Sequence, residues 1–128
     1  MRPGVIRGAL SVALLALLLW AGCARSPQLT AWSDRMLVAE RNLSRGDYDV
    51  AMRDFELLER NALSRSDEIY ARMRQAEVHR RAGRHEPAIA LMQKLAHSIK
   101  DADPELQVKV HYRFARQLID GGQVERGQ

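Results

Sequence analysis

From Leu29 onward, apolar residues recur at spacings of three and four, the period of one face of a helix. Leu29, Trp32, Met36, Ala39 and Leu43 form a first stripe. Gly46 is placed to stop that helix and Asp47 to cap the next. Tyr48, Ala51, Met52, Phe55 and Leu58 form a second stripe. The cluster Asn61-Ala-Leu-Ser-Arg-Ser66 breaks it and offers Ser64 or Ser66 as a helix cap. A third helix carries Ile69, Met73 and Ala76, with Tyr70 beside them, and ends at Ala82-Gly83. A fourth starts at His85-Glu86-Pro87, where proline suits a first turn, and bears Ala88, Met92, Leu95 and Ile99. Asp103-Pro104 starts a fifth, with Leu106, Val110, Phe114 and Leu118 on one stripe; the pair Gly121-Gly122 predicts its end at Ile119 or Asp120. No sustained apolar/polar alternation and no hairpin turn between β-branched runs competes with this all-α reading.

The helices are expected to pair as hairpins, because the pattern repeats. Gly46-Asp-Tyr48-Asp-Val-Ala51-Met-Arg-Asp-Phe55 parallels Gly83-Arg-His85-Glu-Pro-Ala88-Ile-Ala-Leu-Met92. Each has glycine, a ring two residues on, alanine three further, and a large apolar residue four beyond that. Ala39, Ala76 and Ala115 stand seven residues before Gly46, Gly83 and Gly122, and those glycines recur after 37 and then 39 residues. This order resembles the tetratricopeptide repeat, whose period is about 34 residues. The resemblance covers about two and a half units of 29–128, with His85 and Met92 where the family has aromatic residues and Gly127 in place of an alanine. It implies a short right-handed solenoid of antiparallel helical hairpins. Arrays of this kind need polar end caps, and only the first helix of the third unit is present. That helix is therefore expected either to act as the cap itself or to be covered by another chain.

The N-terminal stretch has a different pattern. Arg2 and Arg7 precede an uncharged run from Gly8 to Gly22, the length of a signal-peptide core and short for a spanning helix. The small residues Ala21 and Gly22 then precede Cys23, the single cysteine. This arrangement resembles a bacterial lipoprotein signal, with Trp20 where the family has leucine. The resemblance implies cleavage before Cys23 and a lipid on its thiol. Residues 1–22 then form the signal, 23–28 a tether in which Ser26 and Pro27 oppose helix, and 29–128 the repeat domain. Ala24, rather than aspartate, follows the cysteine, which in this family points to the outer membrane facing the periplasm. Acylation also accounts for an otherwise unpaired secreted cysteine.

Charge sharpens the reading. The chain carries 20 Lys+Arg against 16 Asp+Glu. Loss of Arg2 and Arg7 with the signal leaves 18 basic residues, a net of +2. That is a mildly basic surface, and export removes nucleic acid as a partner.

Nothing marks an enzyme or a cofactor site. His79, His85, His97 and His111 form no zinc pattern, and no phosphate loop or nucleophile elbow occurs. His85 is expected to pack as the ring of its turn, His79 and His97 to be exposed, and His111 to face either way. The carboxylates lie scattered along helix faces.

By the resemblance, the first helix of each hairpin lines a groove for a protein or peptide partner in the cell envelope. Met36, Glu40, Leu43, Tyr70, Met73, Glu77, Arg80, Arg81, Lys109, Tyr112, Arg113 and Arg116 would form it. The mixture suits binding: methionine adapts to apolar partners, tyrosine gives contact area, and arginine pairs with carboxylates. The same spacing equally allows Met36, Tyr70 and Met73 to be core and the arginines to be solvating. The family's clamp for a C-terminal carboxylate is not expected: Lys109 and Arg113 match its last pair, but Met36, Glu40 and Arg74 do not match the rest. The expected role is envelope assembly or scaffolding. The alternatives are a helical subunit folded only against a neighbour or a second copy and, less expected, an envelope enzyme.

Overall fold

Five helices follow one another in a computed structural model, which describes the backbone from 27 to 126 and side chains from 31 to 122. They are α1 (Pro27–Arg45), α2 (Tyr48–Arg60), α3 (Arg65–Arg81), α4 (His85–Ser98) and α5 (Pro104–Arg126). Among the described residues the chain is all-helical, and consecutive helices pack as hairpins in a solenoid-like stack. The lipoprotein signal, Cys23 and most of the tether lie outside the described residues. Helix α1 begins at Pro27, earlier than the tether reading allows, because proline fits a first helical position.

The turns explain the repeat. After α1, the Gly46 and Asp47 amides donate to the carbonyls of Leu43 and Asn42 at 3.2 and 3.0 Å. After α3, the Gly83 and Arg84 amides donate to Arg80 and His79 at 3.1 and 2.9 Å. Both are Schellman closures, and both need a left-handed residue: Gly46 has φ +83° and Gly83 φ +74°. Asp47 occupies the cap position of α2, but only through its backbone carbonyl, which accepts from the Ala51 amide at 2.9 Å. Ser64 is the cap of α3, its hydroxyl accepting from the Asp67 amide at 3.1 Å. Asp103 accepts from the Glu105 amide at 2.9 Å to start α5.

The third glycine of the register behaves differently. Helix α5 does not end at Gly121-Gly122 but runs to Arg126. Neither glycine has positive φ. Gly121 instead faces α4, where an added Cβ would lie 2.8 Å from Ile89 Cδ1 and 3.8 Å from His85 Cβ. Its lack of a side chain lets the two helices approach. The apolar row of α5 turns accordingly: Val110, Gln117 and Gly121 are buried, whereas Leu118 is 46% exposed.

This contrast gives a paired prediction. Gly83→Ala should destabilise by about 1–2 kcal/mol, because it forces a Cβ into the left-handed region. Gly122→Ala meets no atom within 4 Å and should stabilise by roughly 0.5–1 kcal/mol through helix propensity. Urea midpoints of the two variants should therefore move in opposite directions. A shared direction would refute the distinction between turn and helix glycines.

Two cores are stacked along the chain. The first joins Met36, Ala39 and Leu43 of α1, Ala51, Phe55 and Leu58 of α2, and Ala71 and Val78 of α3. The second joins Ile69, Met73 and Ala76 of α3 with Met92 and Leu95 of α4, Ile99, and Val110 of α5. Helix α3 is thus buried on two faces, which its sequence, read as a single stripe, does not reveal. The Trp32 indole N–H donates to the Leu58 carbonyl at 3.1 Å, tying α1 to the end of α2.

Candidate functional site: a cationic cleft between α3 and α5

Polar residues buried on α3 require partners, since an unpaired buried charge is costly. Helix α3 meets this on both sides. Arg74 reaches α1, where its guanidinium forms a two-point pair with the Glu40 carboxylate and sits 5.9 Å from the Phe55 ring centroid. Gln75 and Arg72 both reach Glu59 of α2, at 2.6 Å each. Burial would raise the Glu59 pKa, but these two hydrogen bonds lower it below the ordinary value. Arg80 reaches α5, at 3.3 Å from Asp120. Helices α1, α3 and α5 are thereby linked as one layer.

Between α3 and α5 this layer opens into a cleft of about 490 Å³. Its walls are Tyr70, Met73, Arg74, Glu77, Arg80 and Arg81 from α3, and Lys109, Tyr112, Arg113, Arg116 and Gln117 from α5. Nine residues expected on a binding face come together here: Tyr70, Met73, Glu77, Arg80, Arg81, Lys109, Tyr112, Arg113 and Arg116. Met36 does not line it. That side chain is 9% exposed and belongs to the first core, because its helical row faces α2. Leu43, at 2% exposure, is core for the same reason. Glu40 does not line it either, its carboxylate being held by Arg74. Met73 does both, lining the cleft floor while packed in the second core. Arg74 and Gln117 are cleft residues that the sequence reading leaves out, although Arg74 is one helical turn after Tyr70.

The electrostatics separate engaged cations from unengaged ones. Glu77 accepts from Arg80 at 2.8 and 2.9 Å and from Arg81 at 2.8 Å. Burial would raise its pKa, but the two guanidiniums outweigh it and hold the carboxyl at about 2. Glu77 is therefore a fixed anchor for two arginines rather than a group free to meet a ligand. Lys109 pairs with Glu105 at 2.6 Å. Arg113 and Arg116 make no ion pair among the described residues. Beside them Gln117, only 4% exposed, has a side-chain oxygen without a hydrogen-bond partner among the described residues. Tyr70 and Tyr112 are 39% and 68% exposed at the rim. The cleft thus offers two guanidiniums, two aromatic faces and a buried amide acceptor.

The histidines lie apart from it. His97 is exposed, its ring nitrogen 2.7 Å from the Gln93 carbonyl, and His111 is exposed. His85 is half-buried against α5. His79 is half-buried rather than exposed, because its helix is covered on two faces. Burial first, and Arg84 second, lower its pKa, and its Nδ1 has no partner. Among the described residues no group of three His, Cys, Asp or Glu is placed to hold a metal ion, and no helix is long and apolar enough to cross a membrane.

No protein-family model, curated protein or solved structure matches the chain.

Proposed function

We propose that this is a tetratricopeptide-like interaction module, lipid-anchored through Cys23 in a bacterial envelope, whose α3–α5 cleft grips an acidic segment of a partner protein. One observation carries this reading: Arg113 and Arg116 make no ion pair among the described residues, in a cleft whose other cations are already engaged. Guanidiniums recognise carboxylates by paired hydrogen bonds. The exposed tyrosines add contact area at low entropic cost, and the unpartnered Gln117 oxygen suits a backbone N–H of an extended chain. The anchoring and the outer-membrane location rest on the N-terminal pattern alone, and a scaffolding role in envelope assembly follows from the two together.

The test is crosslinking of the full chain in its native host, followed by mass spectrometry. Arg113→Ala with Arg116→Ala should lower recovery of the crosslinked partner roughly tenfold or more, the loss of two charge-assisted hydrogen bonds. Unchanged recovery would overturn the cleft reading. These two are better choices than Arg80 and Arg81, whose removal would leave Glu77 buried without its partners. Separately, Cys23→Ser should move the protein from the membrane to the soluble fraction; retention at the membrane would overturn the lipid anchor.

A further inference from the structure

An ion pair that closes the groove between α1 and α3 has an unmade counterpart between α3 and α5. With the alanines aligned, Glu40, Glu77 and Arg116 each follow the alanine directly, and Leu37, Arg74 and Arg113 each stand two residues before it. An acid on one helix of the layer is thus matched with an arginine on the next. Between α1 and α3 the match is made: the Arg74 guanidinium, 8% exposed, takes the Glu40 carboxylate at two points. Between α3 and α5 the same match would join Glu77 to Arg113, and both line the cleft. It is not made. Glu77 turns instead to its own helix, accepting from Arg80 at 2.8 and 2.9 Å and from Arg81 at 2.8 Å. Arg113 is half-buried and makes no ion pair among the described residues. One turn on, Arg116 stands where both earlier units carry an acid. The vacancy is therefore set within α1, α3 and α5, and its shape is that of a carboxylate.

We infer that the cleft reads an extended segment of a partner protein with acids at alternate positions, one carboxylate seated on Arg113 as Glu40 is on Arg74 and the next on Arg116. The inference deepens the acidic-segment reading above and rests on it. Spacing selects the alternation. Arg113 and Arg116 are three apart on one helix, which puts their Cβ atoms about 5–6 Å apart. In an extended chain, side chains two positions apart point the same way at roughly 6.5–7 Å, whereas adjacent ones point to opposite sides and cannot both meet α5. Gln117 selects the backbone form. Its buried oxygen has no partner among the described residues, and an extended chain has N–H groups to offer, whereas those inside a helix are already used. Two positions beyond the acids, the segment reaches the exposed faces of Tyr70 and Tyr112, where an apolar side chain fits. Arg74, Arg80, Arg81 and Lys109 each already meet a carboxylate, so two acids match the cations left over and a longer acidic run adds nothing.

The probe is a labelled, end-blocked nine-residue peptide in which two glutamates flank one threonine, with leucine two positions outside each glutamate. Its side chains read alike in both directions, so chain polarity does not matter. Two isomers of the same composition place the glutamates side by side or four positions apart. Titrated against the full chain by fluorescence anisotropy, the alternating peptide should bind at least tenfold more tightly than either isomer. Arg113→Lys keeps the charge but removes the two-point geometry, and should weaken the alternating peptide at least tenfold with unchanged circular dichroism. Equal binding of an isomer, indifference to Arg113→Lys, or failure of the alternating peptide to bind would each overturn the inference. A second copy or a segment of the same chain lying in the cleft would exclude the probe and so gives the last of these results. If all three peptides bind alike and Arg113→Ala with Arg116→Ala abolishes them all, the alternation falls and the cleft reading stands. If none binds and partner recovery is also unchanged in that variant, both fall.

Discussion

Phe55→Ala should lower the stability of the domain by about 3–5 kcal/mol, the range for emptying a buried phenylalanine site. Phe55 is 0% exposed and touches the centre of the first core, where α1, α2 and α3 meet. The loss goes beyond apolar area. The Arg74 guanidinium lies over the ring, and a desolvated contact of that kind contributes about 1–2 kcal/mol more. Against a typical total of about 5–15 kcal/mol, the variant should sit near its unfolding threshold at room temperature. Urea or thermal unfolding followed by circular dichroism reads this directly. Leu57→Ala on the same helix is the control: Leu57 is 37% exposed, and its loss should cost under about 1 kcal/mol. Equal shifts for the two variants would refute the assignment of faces on α2.

The second large effect is set by pH. The Glu77 carboxyl is held at about 2, from an ordinary 4.5, by Arg80 and Arg81. Its folded value is depressed, so its contribution is complete above the unfolded pKa and is lost as pH falls from 4.5 towards 2. The size is on the order of 3 kcal/mol, at 1.36 kcal/mol for each unit. Glu77→Gln should therefore be less stable than the unsubstituted chain by up to that amount near pH 7, and the gap should close across this window. Parallel stability profiles from pH 7 to 2 would show that the carboxylate is not what holds the two arginines. His79 works on a different range: burial depresses its pKa below 6.5, so its share is present above that value and declines below it. The acid limb of the unsubstituted chain should thus begin before any carboxylate titrates.

Helix positions and most turns are legible in the sequence because each rests on local chemistry. Gly46 and Gly83 close Schellman turns, Ser64 and Asp103 cap helices, and the apolar rows follow the helical period. Gly122 shows the limit of such reading. It has the residue type and register of the two turn glycines, yet helix continues through it. What distinguishes it is tertiary: Gly121 abuts Ile89 of α4, and no closing bond demands a left-handed residue. Helix α3 shows another limit. Arg74, Gln75 and Glu77 look like a solvated face, and their burial depends on Glu40, Glu59, Arg80 and Arg81, the first two of which come from other helices. The cleft was largely legible, since Tyr70, Met73, Glu77 and Arg80 share one row and Lys109, Tyr112, Arg113 and Arg116 another. Met36 packs in the first core, an outcome that helical spacing alone does not separate from a groove position. Gln117 was missed although it lies seven residues from Val110 and so shares its buried face.

The double burial of α3 also governs how the domain comes apart. One helix completes both cores, the first through Ala71 and Val78 and the second through Ile69, Met73 and Ala76. Its departure removes part of both cores, so the hairpins on either side of it are expected to unfold together. Cooperativity in a repeat stack ordinarily weakens with length because each unit touches only its neighbours. Here the shared helix couples the ends. The slowest amide hydrogen exchange is therefore expected in α3, where it should report the free energy of the whole domain rather than of a local opening.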